Sequence, residues 1–235
     1  MKIALIGYGK MGKIIEEIAI QRNHQIVLKL TSKDKWDSTT LTNSKADVAI
    51  EFTNPESAYQ NILKCFEANL PVVVGTTGWY DKLDEIINIC KQKNQTILYA
   101  SNFSIGVNLF FKINEFVANL IRKYPEYNVS LIEAHHTQKK DAPSGTAISI
   151  AKPILKIYQK EKWSLHPDDK TLHISARRCG DEKGYHAVHY LSDIDEISIS
   201  HHAYSRKGFA IGSVLAAEFI KDKKGIFQMK DVLNL

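Results

Sequence analysis

Over residues 1–100 the apolar positions follow two alternating rhythms. Short runs at 2–6, 26–30, 46–52, 72–75 and 96–100 are apolar at nearly every position and read as β-strands. Between them, apolar residues recur every three or four positions. In residues 10–22 the stripe is Met11, Ile14, Ile15, Ile18 and Ala19, which only a helix gathers onto one face. Residues 56–68, with Pro55 near the start, and residues 81–93 repeat that pattern. Strands that are apolar throughout, alternating with amphipathic helices, need cover on both sheet faces. The pattern therefore predicts an α/β fold with a doubly wound parallel sheet of Rossmann type. Ligands of such a sheet sit at the carboxyl ends of its strands.

After Asn102 the rhythm changes. A helical pattern at 107–123 stops at Tyr124-Pro125, a strand pattern covers 128–136, and a helix is expected over 144–158. Three strand-like runs follow at 171–178, 185–191 and 196–202 with no helix between them, which predicts an antiparallel or mixed sheet. A helix at 209–221 and a terminal run at 227–235 close the chain. Two domains are implied: residues 1–104, completed by 207–235, and an α+β domain at 105–206, joined by a short hinge.

Composition narrows the classes. With 44% hydrophobic and 24% charged residues, the chain lies in the ordinary globular range. The apolar runs are too short to span a bilayer. The apolar start at residues 1–6 breaks into Gly-Tyr-Gly-Lys with no small-residue cleavage site, so no signal peptide and no membrane partner is expected. The three cysteines form no CxxC pattern, which suits a reducing cytoplasm. A formal charge of +5 is dispersed along the chain rather than gathered into an arm, and it suits small anionic ligands at least as well as nucleic acid, which is not expected as a partner.

Gly7, Tyr8, Gly9, Lys10, Met11 and Gly12 match GxGxxG between a predicted strand and a predicted helix. There the glycines permit a tight turn, and backbone N–H groups at the helix start attract a pyrophosphate. The segment after the second strand, Leu30-Thr31-Ser32-Lys33-Asp34, has no carboxylate directly at the strand end to take a ribose hydroxyl. Lys33 is placed to meet a 2′-phosphate, which favours NADPH over NADH, unless Asp34 turns inward or Lys33 is a solvated loop charge. Gly75, Thr76 and Thr77, and then Ala100, Ser101, Asn102 and Phe103, follow the next strands of that sheet. Small residues, hydroxyls and an amide there leave room for a nicotinamide ribose.

The segment 133–147, EAHHTQKKDAPSGTA, concentrates titratable groups. A metal site would need imidazoles that converge. His135 and His136 are neighbours on a strand and point to opposite faces, and no ligand-spaced cysteine or carboxylate accompanies them. No metal is expected. His24, His166, His173 and His189 read as polar residues of half-buried strands. His135 and His136 instead precede Lys139 and Lys140 and a helix start at Ser144, Gly145 and Thr146. Unpaired N–H donors, hydroxyls and a lysine suit a carboxylate, and a nearby histidine can transfer a proton at neutral pH.

These blocks carry a resemblance. GYGKMG at 7–12, EFTNPE at 51–56, VGTTG at 74–78, ASNFSIGVN at 100–108, EAHHTQKKDAPSGTA at 133–147 and ISHHAYSR at 199–206 make the chain similar, in order and over nearly its whole length, to the 4-hydroxy-tetrahydrodipicolinate (dihydrodipicolinate) reductases of diaminopimelate and lysine biosynthesis. The resemblance implies a reductase using NADPH or NADH, with the glycine turn, the GTT loop and the ASNF loop holding the nucleotide. It implies His135 as proton donor and acceptor, Lys139 as a second proton-transfer group, and His136, Gly145 and Thr146 as contacts of a small dicarboxylate. A cytoplasmic homotetramer is implied as well, with 105–206 binding substrate and mediating assembly. The glycine turn is one residue tighter than the family's common GxxGxxG, and the acid after the second strand is missing. A related dehydrogenase of another small acid, or a nucleotide-binding regulator without activity, are the other readings.

Overall fold

The structure, a computed structural model, describes residues 1–168 and 170–235. In chain order the first elements are β1 (Lys2–Ile6), α1 (Lys10–Gln21), β2 (Gln25–Leu30), α2 (Ser38–Ser44), β3 (Val48–Glu51), α3 (Pro55–Glu67), β4 (Val72–Val74), α4 (Leu83–Gln92) and β5 (Thr96–Tyr99). Then come α5 (Ile105–Ile121), β6 (Asn128–His135), α6 (Gly145–Tyr158), β7 (Trp163–Ser164), β8 (Leu172–Arg178), β9 (Tyr185–Leu191) and β10 (Glu196–His202). The chain ends with α7 (Lys207–Ile220), β11 (Gly225–Phe227) and α8 (Met229–Leu233). Two compact units result: Met1–Ile105 with Arg206–Leu235, and Gly106–Ser205.

In the first unit the strands are parallel and ordered β11-β5-β4-β3-β1-β2. Alternation explains why β1 is apolar at every position after Lys2: Ile3 and Leu5 enter the core on one face, Ala4 and Ile6 the core on the other. The chain leaves β1 towards β2 and returns on the opposite side as β3, so the strand order reverses between β1 and β3. A crevice opens at the carboxyl ends of those two strands. The next helix, α3, is set by its own start: the Asn54 side chain accepts the Ser57 N–H at 2.9 Å, and Pro55 supplies the fixed φ of a first helical position.

In the second unit the sheet runs β10-β9-β6-β8-β7. Helix α6 carries the chain from β6 towards β8, and these two strands are parallel, whereas β9 pairs antiparallel with both β6 and β10. The sheet is mixed, as the helix-free run of strands predicted. Ala147, Ile150, Ala151 and Ile154 form the buried stripe of α6, packed with Leu131, Ile174 and Val188 of the sheet.

Some elements escape the apolar rhythm. Helix α2 buries only Leu41 and is fixed by a capping box, in which the Asp37 side chain accepts the Thr40 N–H at 2.9 Å. Strand β11 is three residues long and extends the first sheet beside β5. The strand expected over 128–136 stops at His135.

Candidate active site

The glycine turn sits at the β1–β3 crevice. Gly7 has φ +99°, and a Cβ there would lie 2.0 Å from the Phe52 carbonyl oxygen, so only glycine lets the two strand ends meet. A Cβ on Gly12 would fall 2.6 Å from the Gly7 oxygen, whereas Gly9 has open space around it. The Gly7 and Tyr8 N–H groups already donate to the Leu30 oxygen, at 2.9 and 2.8 Å. The amides available to an anion are therefore those of the first turn of α1, which starts at Gly9 without a side-chain cap. Lys10 is exposed beside that turn, and Met11 is half-buried against the core.

A cavity of about 610 Å³ opens here, walled by Gly7, Tyr8 and Gly9, by Thr31, Ser32, Asp34 and Trp36 after β2, and by Phe52, Thr53 and Asn54 after β3. The loop after β3 was not among the sequence-predicted site residues. Its signal was present, since strand order reverses there and Pro55 marks the helix start. Beneath the loop, Glu51 is fully buried; the Thr53 hydroxyl donates to it, and Asn61 Nδ2 donates at 3.3 Å. Burial pushes the Glu51 carboxyl up, against the lowering effect of those hydroxyl and amide donors.

The other predicted nucleotide contacts divide. Thr76 is buried and accepts the Thr53 N–H at 2.7 Å, and Gly75 is pressed against the Phe52 ring, where a Cβ would come within 2.1 Å. Both shape the β3 loop, while Thr77 is exposed. Ala100 is half-buried and Ser101 exposed. Asn102 is buried and bonds the Ser104 N–H at 2.9 Å. Phe103 belongs to the core, with Gly212 so close that a Cβ would lie 1.8 Å from its carbonyl oxygen. After β2, Asp34 rather than Lys33 enters the cavity wall. Asp34 accepts both the Thr31 N–H and its hydroxyl at 2.7 Å, and these donors hold its carboxyl below the ordinary value.

In the second unit, sheet register assembles a buried polar cluster. Glu133 and His135 lie two apart on β6 and face the same side. His186 of β9 is the cross-strand partner of Glu133, and Arg178 of β8 that of His135. Glu133 is fully buried; Arg178 Nη2 donates to its Oε1 at 2.9 Å, and the Ser144 N–H to Oε1 and Oε2 at 3.1 and 3.2 Å. His135 Nδ1 lies 3.2 Å from Oε2. Burial alone would raise the Glu133 carboxyl, but His135, Ser144 and Arg178 together hold it at about 2. His186 Nε2 stands 3.3 Å from the Ser144 hydroxyl. Burial, then the nearby His135, pushes His186 down to about 3, so it is neutral.

Ser144 enters as scaffold: it is buried, caps α6 by accepting the Ala147 N–H at 3.1 Å, and gives its own N–H to Glu133. Next to it at the helix start, Gly145 is exposed and Thr146 half-buried. His136 is half-buried just past the strand end. Lys139 is half-buried with Nζ 2.8 Å from Asp141 Oδ1, while Lys140 is exposed. Arg178 ties this loop down by donating to the Lys139 and Asp141 carbonyl oxygens. Sequence reasoning missed Glu133, Arg178 and His186, whose meeting depends on strand register.

Glu133, His135 and His186 offer donor atoms within 4.8 Å of one another, a spacing a metal ion could use. Arg178 and the Ser144 amide already occupy the carboxylate, however, and a cation would stand beside a guanidinium. The donor set fits a proton-transfer site better than a metal centre.

Comparison with known proteins places this geometry. A model of the dihydrodipicolinate reductase N-terminus matches residues 1–103, and one of the dihydrodipicolinate reductase C-terminus matches residues 106–233. The chain belongs to the dihydrodipicolinate reductase family. It is thus an NAD(P)H-dependent oxidoreductase by family. The 4-hydroxy-tetrahydrodipicolinate reductase of Christiangramia forsetii is 48% identical over 100% of this chain and 98% of its own. That of Alkaliphilus oremlandii is 36% identical over 97% of this chain and 95% of its own. The structure of a dipicolinate-bound dihydrodipicolinate reductase from Paenisporosarcina sp. TG-14 matches with a TM-score of 0.80 over 97% of each chain, at 23% identity. That likeness is one of fold. Within the dihydrodipicolinate reductase family, then, the glycine turn and the EAHH segment of this chain occupy the nucleotide-type crevice and the buried polar cluster described above.

Proposed function

We propose that this protein reduces 4-hydroxy-tetrahydrodipicolinate to 2,3,4,5-tetrahydrodipicolinate with a nicotinamide nucleotide, in diaminopimelate and lysine biosynthesis. Residues 1–104 with 207–235 hold the nucleotide, and residues 105–206 bind the substrate. The observation that carries the reading is the grouping of His135, Arg178 and the start of α6 about one buried carboxylate, Glu133, in a member of this family. His136, Lys139, Gly145 and Thr146 take the two carboxylates of the substrate. Loss of the 4-hydroxyl as water creates a double bond; hydride from the nicotinamide adds at ring C4, and His135 gives the proton that completes the reduction. Overall, one hydride and one proton enter and one water leaves. The test is oxidation of NADH and NADPH by purified protein with freshly formed aspartate semialdehyde–pyruvate condensation product. Oxidation that needs this product supports the reading; none with either nucleotide overturns it.

Between the nucleotides, the anchored Asp34 in the cavity wall opposes a 2′-phosphate, and exposed Lys33 favours one. Asp34 is fixed by two hydrogen bonds and Lys33 is not, so NADH is the better substrate, the reverse of the preference read from Lys33 alone. A cytoplasmic homotetramer completes the proposal. Leu109, Ile113, Phe116 and Leu120 form an exposed apolar stripe along α5, and Leu191 and Ile197 are exposed on β9 and β10. Contiguous apolar surface of this kind is what assembly buries.

A further inference from the structure

We propose that Glu133 is a positioning residue for this reaction: it holds His135 with Nδ1 protonated, so that Nε2 is the atom that gives and regains the transferred proton. The inference rests on the assignment of proton transfer to His135.

A fully buried carboxylate must be matched by donors or it destabilises the fold. Arg178 and the Ser144 amide supply two matches on Glu133, and the remaining approach on Oε2 is towards His135 Nδ1 at 3.2 Å. That nitrogen is itself buried and makes no hydrogen bond of full geometry, and Glu133 Oε2 is the carboxylate oxygen beside it at ion-pair distance. A buried N–H far from any acceptor is costly, and a buried bare nitrogen beside a carboxylate lone pair is repelled. Both considerations place the proton on Nδ1, next to Glu133. A histidine whose Nδ1–H is fixed by a carboxylate has its reactive tautomer and ring orientation set in advance.

The other edge of the ring lies against a glycine. Gly184, with φ +146°, faces His135, and a Cβ there would stand 3.5 Å from Nε2. Nε2 can therefore lose its proton to a ligand while Nδ1 keeps its own. The resulting neutral imidazole needs no internal proton shift.

The neighbours support this division of roles. His186 meets the His135 ring edge-on at a centroid distance of 5.1 Å, but it is neutral and adds no repulsion to an imidazolium at His135. Arg178 from β8 draws on Oε1, and Oε2 lies between the Ser144 N–H and His135. Lys139 and Asp141 face the cluster from the loop after β6, with their charges paired to each other at 2.8 Å, and His201 of β10 acts on it through His186. Glu133 is thus the anion that an imidazolium at His135 would meet.

Two measurements on the full-length protein test this. Long-range proton–nitrogen spectra of histidine-labelled protein, with His135 assigned by its loss in His135→Gln, are expected to show neutral His135 protonated at Nδ1 and bare at Nε2. The opposite tautomer overturns the proposal, whatever the activity. Glu133→Gln presents an amide to Nδ1, and kcat is expected to fall about 100-fold with KM changed only a few-fold. The limb of the kcat–pH profile that reports His135 should also move to lower pH, because the imidazolium has lost its anion. A merely structural role would not move that limb, and unchanged kcat and profile in Glu133→Gln would sink the idea. Where Arg178 without its carboxylate prevents folding of this variant, the wild-type spectrum alone decides. His135→Gln separates the two levels of inference: its full activity removes the role of His135 itself, whereas loss there with a normal Glu133→Gln removes only Glu133.

Discussion

The choice of His135 over eight other histidines comes from what surrounds each ring. His189 and Glu196 face each other at an exposed edge, His24 and Glu218 pair near the surface at 2.7 Å, and His202 meets Glu182 at 3.1 Å. His186 is buried and kept neutral. His135 combines a buried carboxylate beside one nitrogen with a glycine beside the other. His135→Gln is therefore expected to lower turnover on the order of a thousand-fold, the range of general acid–base catalysis, with little change in melting temperature. Lys139→Ala should lower turnover and raise KM for the dicarboxylate by about ten-fold or more, as loss of a charge-assisted hydrogen bond does. Steady-state kinetics on both variants check this, and near-normal turnover in each removes the assigned roles. The residues of this cluster differ in how far the sequence exposed them. His135 and Lys139 stood within one segment and were legible there. Glu133, though part of the same segment, gained its meaning only when β8 and β9 brought Arg178 and His186 beside it, because pairing register between distant strands has no local signature.

At the scale of elements, legibility followed apolar periodicity. Strands β1, β3 and β4, buried on both faces, and the striped helices α1, α3 and α6 stood out because burial dictates their sequence. Helix α2 and strand β11 bury little, so nothing in the apolar pattern marked them. The loop after β2 lies between these cases. Its residues were identified, but which of Lys33 and Asp34 faces the cavity depends on Asp34 turning back to accept the Thr31 N–H and hydroxyl. From that geometry, kcat/KM is expected to be higher with NADH than with NADPH. Asp34→Ala should narrow the ratio by raising activity with NADPH, since it removes an anion from the phosphate's side of the cavity, and Lys33→Ala should leave the ratio within a few-fold. A wild-type preference for NADPH that disappears in Lys33→Ala would return the selecting role to the lysine.

At the scale of the whole molecule, stability rests on the apolar cores on both faces of the first sheet, on the core of the second unit and on the buried charges within each unit. Those charges respond to acid in opposite directions. In the second unit, Glu133 is held at about 2 against an ordinary carboxylate value of 4.5, and His186 at about 3 against 6.5. Unfolding lets both groups take up protons that the folded unit refuses. The stability that Glu133 contributes is present above pH 4.5 and is lost as pH falls towards 2; the penalty from His186 sets in below 6.5 and grows towards 3. In the first unit, Glu51 is raised by burial, so its contribution is fully present below the ordinary carboxylate value of 4.5 and is lost as pH rises from there through its folded value. Acid should therefore weaken the second unit first, by on the order of a few kcal/mol between pH 7 and pH 4. Trp36 and Trp79 report the first unit and Trp163 the second. In fluorine NMR of protein carrying fluorotryptophan, the Trp163 resonance is expected to reach its unfolded position at a higher pH than the other two. His186→Asn should shift the Trp163 transition to lower pH, because the group that charges on unfolding is gone, and leave the Trp36 and Trp79 transitions in place. Loss of all three resonances at one pH, unmoved by His186→Asn, would show that these buried groups do not set the acid limit.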